Sequence, residues 1–198
     1  MRLEVPFYRQ ATVKLKAALQ QHPQVLAAWE GGSAATGYLD EYSDLDLGVI
    51  VKDNAVESVF QQVEKTLEQE YGIAHVFQMP EPSWHGHSQR FYLLKKAPEF
   101  FYVDLLIEKE SAGNRFLVSN RHGEAIAWLD RFDLIDQTPM PDDAIKNKCQ
   151  RHFSLITAYM PFMILDIKKQ AVRGNAIDAL AIYHGFMNRL AALINIRY

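Results

Sequence analysis

Two short stretches of this 198-residue chain hold residue types that could do chemistry together. The first is Trp29-Glu30-Gly31-Gly32-Ser33. The second, after a gap of ten residues, is Asp44-Leu45-Asp46-Leu47-Gly48-Val49-Ile50-Val51. Side chains alternate between the two faces of a strand, so Asp44 and Asp46 fall on one face and the leucines on the other. Like charges that close repel unless a cation bridges them, and a divalent metal is the simplest resolution. The Gly-Gly-Ser turn, opening a short helix, supplies the complement: backbone N–H groups that phosphate oxygens can approach closely, because glycine carries no side chain. A third acid, Asp104, stands alone in the apolar run Phe101-Tyr102-Val103-Asp104-Leu105-Leu106-Ile107. On a neighbouring strand of the same sheet it would let three carboxylates bracket one or two Mg²⁺ ions, which prefer oxygen ligands and complete their shell with substrate phosphates. Such parts describe a site for nucleotidyl transfer, a reaction that mostly needs positioning and charge neutralisation.

The elements that must position these residues can be read in order. Phe7, Ala11, Leu15 and Leu19 recur every four residues, which predicts an amphipathic helix from about Pro6 to Gln21, ended by His22-Pro23. Val25 to Trp29 reads as a short buried strand, with Ser33 at the N-cap of the helix after the turn. Beyond the Asp44–Val51 strand, Asp53 or Asn54 can cap a helix whose apolar face is Val56, Val59, Phe60, Val63 and Leu67. Residues 73–77 read as a strand. Two prolines and a glycine make Met79 to His87 an irregular loop, and residues 91–94 and 100–107 read as strands joined by Lys95-Lys96-Ala97-Pro98.

After Pro139 and Pro141 the texture changes to long helical runs. Ile145, Phe153, Ile156, Tyr159, Met163 and Ile167 lie near one face, and Pro161 is expected to kink that helix. Gly174 is a stop, and a second helix carries Ile177, Leu180, His184, Met187, Leu190 and Ile194. These patterns predict an α+β domain over residues 1–138 and a helical region over 139–198. Two long helices bury little by themselves, and their apolar pattern continues to Ile196. Either they pack on the first domain or on a partner chain, as in a homodimer through these helices, or further helices are needed to complete the region.

Composition narrows the classes of function. A hydrophobic content of 48% fits a folded globular chain rather than a disordered one. Lys and Arg number 21 against 24 Asp and Glu, so the basic excess of a general nucleic-acid binder is missing, although a local basic groove is still open. Cys149 is the single cysteine, which excludes an internal disulfide and a multi-cysteine metal cluster and suits a cytoplasmic location. No run approaches the roughly 18 apolar residues of a membrane helix, so no membrane partner is expected.

Gly32-Ser33, the ten-residue gap, Asp44-Leu45-Asp46-Leu47 and the later acid strand at Asp104 resemble the signature of the polymerase-beta-like nucleotidyltransferase superfamily. Small size and appended helices make the aminoglycoside and lincosamide nucleotidyltransferases the most similar members. The resemblance covers roughly residues 25–108. It implies a nucleotidyltransferase fold, a mixed sheet flanked by helices and followed by a helical region. It also implies Asp44, Asp46 and Asp104 as metal ligands and catalytic acids, Gly32 and Ser33 on the triphosphate, Mg²⁺ as cofactor, and an NTP, with ATP the first choice, as donor. The reaction expected is transfer of a nucleoside monophosphate to a hydroxyl of a small molecule, an antibiotic-like acceptor included, with release of pyrophosphate. The rival readings are nucleotidylation of a protein or a tRNA end, and a non-catalytic nucleotide-binding module of the same fold.

Plainer roles compete at individual residues. Asp104 could be a buried acid paired with Arg90 or Lys95. His85 and His87 have alternate spacing but no further ligand in view, so they read as a loop pair rather than a zinc site. Trp84 is either a stacking aromatic or a lid over the core. Ser33 has no adjacent histidine or acid to make it a nucleophile, and Cys149 reads as a structural thiol.

Overall fold

Periodicity in the first twenty residues becomes packing directly: α1 (Pro6–Gln21) buries Ala11, Leu15 and Leu19 completely. β1 (Val25–Glu30), α2 (Gly32–Thr36), β2 (Leu45–Val51) and α3 (Val56–Glu70) follow. Then come β3 (Ile73–Gln78), β4 (Ser88–Leu94), β5 (Tyr102–Lys109) and β6 (Ile126–Asp130). In this computed structural model, residues 6–81, 83–115, 117, 123–139 and 141–197 are described. Pro82 in the irregular loop and the side chain of Ile196 lie outside that set. The chain divides into two units, residues 1–139 and 140–198.

The six strands of the first unit form one mixed sheet in the order β3-β4-β5-β2-β1-β6. β2 and β5 run parallel at its centre, and the other neighbours are antiparallel. A parallel pair needs a long crossover. Here it is residues 52–101, which carry α3 and the β3-β4 hairpin. α1 and α3 cover one face, where Leu45, Leu47, Val49 and Val51 of β2 and Val103, Leu105 and Ile107 of β5 join the main core. Alternation sends Asp46, Gly48 and Ile50, and on β5 Asp104, Leu106 and Glu108, to the other face. A smaller cluster of Leu26, Trp29, Ile50 and Ala125 lies there, with Leu117, Leu134 and Ile135 packed against it. The architecture is α+β, with the flanked mixed sheet and C-terminal helices of a nucleotidyltransferase fold.

Local differences from expectation have physical causes. β6 was not foreseen, because residues 126–130 are too few to show a period, and pairing with β1 holds them as a strand. α3 is entered at Ala55 without a side-chain cap. Asp53 instead accepts the Ser111 backbone N–H at 3.0 Å, tying the α3 entry to the end of β5. Nor does Ser33 cap α2: the N-cap position is Gly31, and Ser33 lies inside the helix.

The second unit is a pair of helices, α4 (Asp142–Val172), with Pro161 inside it, and α5 (Ala176–Arg197), joined through Gly174 at φ +78°. They pack on each other, yet of the expected α4 stripe only Ile156 and Met163 are buried. Phe153, Tyr159, Phe162, Ile177 and Leu180 are exposed. Among the described residues no helix is long and apolar enough to cross a membrane.

Candidate active site

The site grows out of the β1-α2 turn and the heads of the two central strands. Gly31 N–H donates to the Asp46 carbonyl at 2.9 Å, which pins the turn beside β2. Gly32 follows at φ +53°, a left-handed conformation that glycine adopts without steric cost. A Cβ at Gly32 would run into Oδ2 of Asp46. Two constraints at one position therefore demand glycine: the backbone angle and the carboxylate beside it. Ser33 Oγ is buried and makes no hydrogen bond among the described residues.

Asp44 stands just ahead of β2, at the end of a loop shaped by Asp40. Asp40 Oδ1 accepts the Tyr42 N–H and the Ser43 hydroxyl, both at 3.0 Å, while Asp40 N–H donates to Ser43 Oγ at 2.9 Å. Such side-chain turns fix a loop where no strand ladder does. Asp46 and Asp104 are direct register partners across the parallel β2-β5 pair. Tyr102, two residues before Asp104 on the same strand face, interacts with Asp44, and that carboxylate raises the phenol's pKa further than burial does.

Burial and mutual repulsion set the electrostatics. Asp46 is pushed up to about 7, first by burial and then by the charges of Asp44 and Asp104. Asp104 is pushed up to about 6 by burial and by Asp44, against the lowering effect of a hydrogen bond from Gln89. That bond, Gln89 Nε2 to Asp104 Oδ1, is 2.6 Å long. A cavity of about 140 Å³ opens on the pair, lined by Gly31, Gly32, Asp46, Asp104 and Gln89 and by Trp29, Gly48 and Leu106. The Trp29 indole fills the space that a Cβ on Gly48 would need.

Among the described residues no group of three or more His, Cys, Asp or Glu side chains is gathered closely enough to hold a metal ion. The donor set still suits a hard divalent cation: adjacent carboxylates that repel one another in a partly buried cleft gain from a positive charge between them. Asp46 and Asp104 would supply that pair of ligands, with Asp44 at the strand head.

Other candidates fall elsewhere. Arg90 lies on the opposite sheet face from Asp104, paired with Glu57 at 2.7 Å and Glu64 at 3.0 Å and stacked over Phe60. Asp104 thus does not take Arg90 as its partner. His85 and His87 are buried rather than loose on a loop, and Trp84 is 73% exposed, edge-on to His85. Gln89 and Tyr102 are contacts to the acids that sequence reasoning missed. The available signal was a polar residue two positions along the face from an acid, on the same or the next strand.

No curated protein matches the chain. Residues 13–80, which carry the glycine turn, Asp44 and Asp46 but stop short of Asp104, match the family described as polymerase beta, nucleotidyltransferase.

Proposed function

We propose that the protein is an Mg²⁺-dependent nucleotidyltransferase that moves a nucleoside monophosphate from an NTP, ATP first among them, to a hydroxyl of a small molecule. The observation that carries this reading is the register pairing of Asp46 with Asp104 beside a glycine turn pinned to the same strand. The family match over residues 13–80 supports nucleotidyl transfer in general. An aminoglycoside- or lincosamide-like acceptor rests on the resemblance in size and appended helices alone.

In this reading Gly32 and Ser33 face the triphosphate, and Asp46 and Asp104 hold the cation, which draws Asp44 in from the strand head as the third ligand. Bound there, Mg²⁺ would neutralise phosphate charge and favour the ionised acceptor oxygen. The acceptor oxygen forms a bond to the α-phosphorus as the bond from that phosphorus to pyrophosphate breaks, and the hydroxyl proton passes to the Asp104 carboxylate.

The test is incubation with labelled NTPs, Mg²⁺ and an acceptor panel that includes aminoglycosides, lincosamides, tRNA and protein, beside the Asp44→Asn/Asp46→Asn variant. Label transfer and pyrophosphate release by the wild type alone support the reading. Metal-dependent NTP binding without turnover on any acceptor would point instead to a binding module.

A further inference from the structure

Asp104 is held by Gln89, and Gln89 is held in turn by His85. Gln89 Nε2 lies 2.6 Å from Asp104 Oδ1, and Gln89 Oε1 lies 3.0 Å from His85 Nε2. A carboxylate oxygen only accepts, so the amide must turn its NH₂ to Asp104 and its oxygen to His85. That oxygen needs a donor, and among the described residues a proton on His85 Nε2 provides it. The far side of the ring agrees. His87 N–H, which can only donate, lies 3.2 Å from His85 Nδ1, so a neutral ring carries its proton on Nε2. Ser83 Oγ is also 3.2 Å from Nδ1; its one proton goes to the His87 carbonyl, so toward the ring it can only accept, and a second proton on Nδ1 would make the ring cationic while leaving the Nε2–H donor in place.

The loop is built to hold this ring. His85 is 7% exposed, its carbonyl accepts Asn114 Nδ2 at 3.0 Å, and the His87 ring stacks on it with centroids 5.6 Å apart. A flexible surface histidine would need none of these contacts.

We infer that His85 is a positioning residue for the carboxylate site: its Nε2–H fixes the orientation of the Gln89 amide, which in turn holds the Asp104 carboxylate in one orientation. As a role in cation binding, this rests on the proposed reading that Asp104 faces a divalent cation.

Glutamine places its amide nitrogen about where histidine has Nε2, whereas asparagine reaches only the Nδ1 position, so His85→Gln keeps the donor and His85→Asn removes it. Two readouts on the full chain apply: Mn²⁺ affinity by calorimetry, and the Gln89 side-chain amide signals in a ¹⁵N–¹H spectrum, assigned by their loss in Gln89→Leu. Removing a residue that orients a ligand typically costs ~10- to 100-fold in metal affinity. His85→Asn should fall in that range and shift the Gln89 signals, while His85→Gln stays close to wild type in both. In a Gln89→Leu background His85→Asn should weaken Mn²⁺ binding no further. Equal losses with and without Gln89, or unshifted Gln89 signals in His85→Asn, would overturn the inference. Should His85→Asn not fold, His85→Gln decides: retained affinity and signals support the relay, and their loss overturns it. If the wild type binds no Mn²⁺ that Asp46→Asn abolishes, the cation reading fails, and the Gln89 signals still decide whether His85 sets the amide.

Discussion

Asp46 and Asp104 sit directly opposite each other on adjacent parallel strands, one from each side of a fifty-residue crossover. Among the described residues neither has a cationic side chain as an interaction partner, and burial and repulsion hold Asp46 at about 7. An ordinary carboxyl of 3.8 in the unfolded chain loses its proton first. The folded state therefore binds more protons between about pH 4 and 7, and this residue's contribution to stability falls as pH rises through that window. Asp46→Asn should remove the dependence. In chelator at pH 8 the variant should melt a few degrees above wild type, with the gap closing toward pH 4, since ~1 kcal/mol moves the midpoint of a domain this size by ~2–8 °C. Added Mg²⁺ at pH 8 should raise the wild-type midpoint and leave the variant's unchanged.

How much of this was legible in the sequence depends on how local each signal is. The alternation of Leu45, Leu47, Val49 and Val51 around Asp46, and the four-residue spacing in α1 and α3, are properties of one element and survive into the structure. The contacts around Asp104 are not of that kind. Gln89 reaches it because β4 pairs antiparallel with β5, Gln89 opposite Leu106, and that register leaves no trace in composition. Arg90, one residue on, points to the other face for the same reason and meets Glu57 and Glu64. The N-cap of α2 shifted because Gly32 turns the chain one residue before Ser33, a backbone angle that residue types alone do not announce.

Glu30 gives a stability prediction independent of the site. It is 3% exposed, and its two oxygens accept from Tyr8 Oη at 3.0 Å and from Trp128 Nε1 at 2.7 Å. Glutamine can still accept from Trp128 and donate to the Tyr8 oxygen, leaving only the Tyr8 hydroxyl proton without its acceptor. Leucine satisfies neither, and each stranded buried donor costs ~1–3 kcal/mol. Urea unfolding should show Glu30→Gln mildly destabilised and Glu30→Leu strongly so.

Gly48 and Trp29 are register partners on β2 and β1, and the indole lies where a Cβ on Gly48 would be. Gly48→Ala should displace Trp29, cost ~1–3 kcal/mol by overpacking, and change the tryptophan fluorescence of the folded protein. Trp29→Leu combined with Gly48→Ala should recover part of that loss. If the two substitutions add independently, the indole is not what excludes the methyl group.

Gly32 and Gly37 separate backbone strain from crowding at the site. Both have positive φ, +53° and +80°, so alanine at either position incurs the strain of a left-handed residue, ~1–3 kcal/mol. A Cβ at Gly37 meets nothing within 4 Å, whereas one at Gly32 collides with the Asp46 carboxylate. Gly32→Ala should lose at least as much stability in urea as Gly37→Ala, since it adds crowding to the same backbone strain. Only Gly32→Ala should weaken binding of an NTP with Mg²⁺, by ~10-fold or more if one to two kcal/mol of contact is lost. Gly37→Ala should bind as wild type does. Equal nucleotide affinity in the two variants would place the triphosphate away from the Gly31-Gly32 turn.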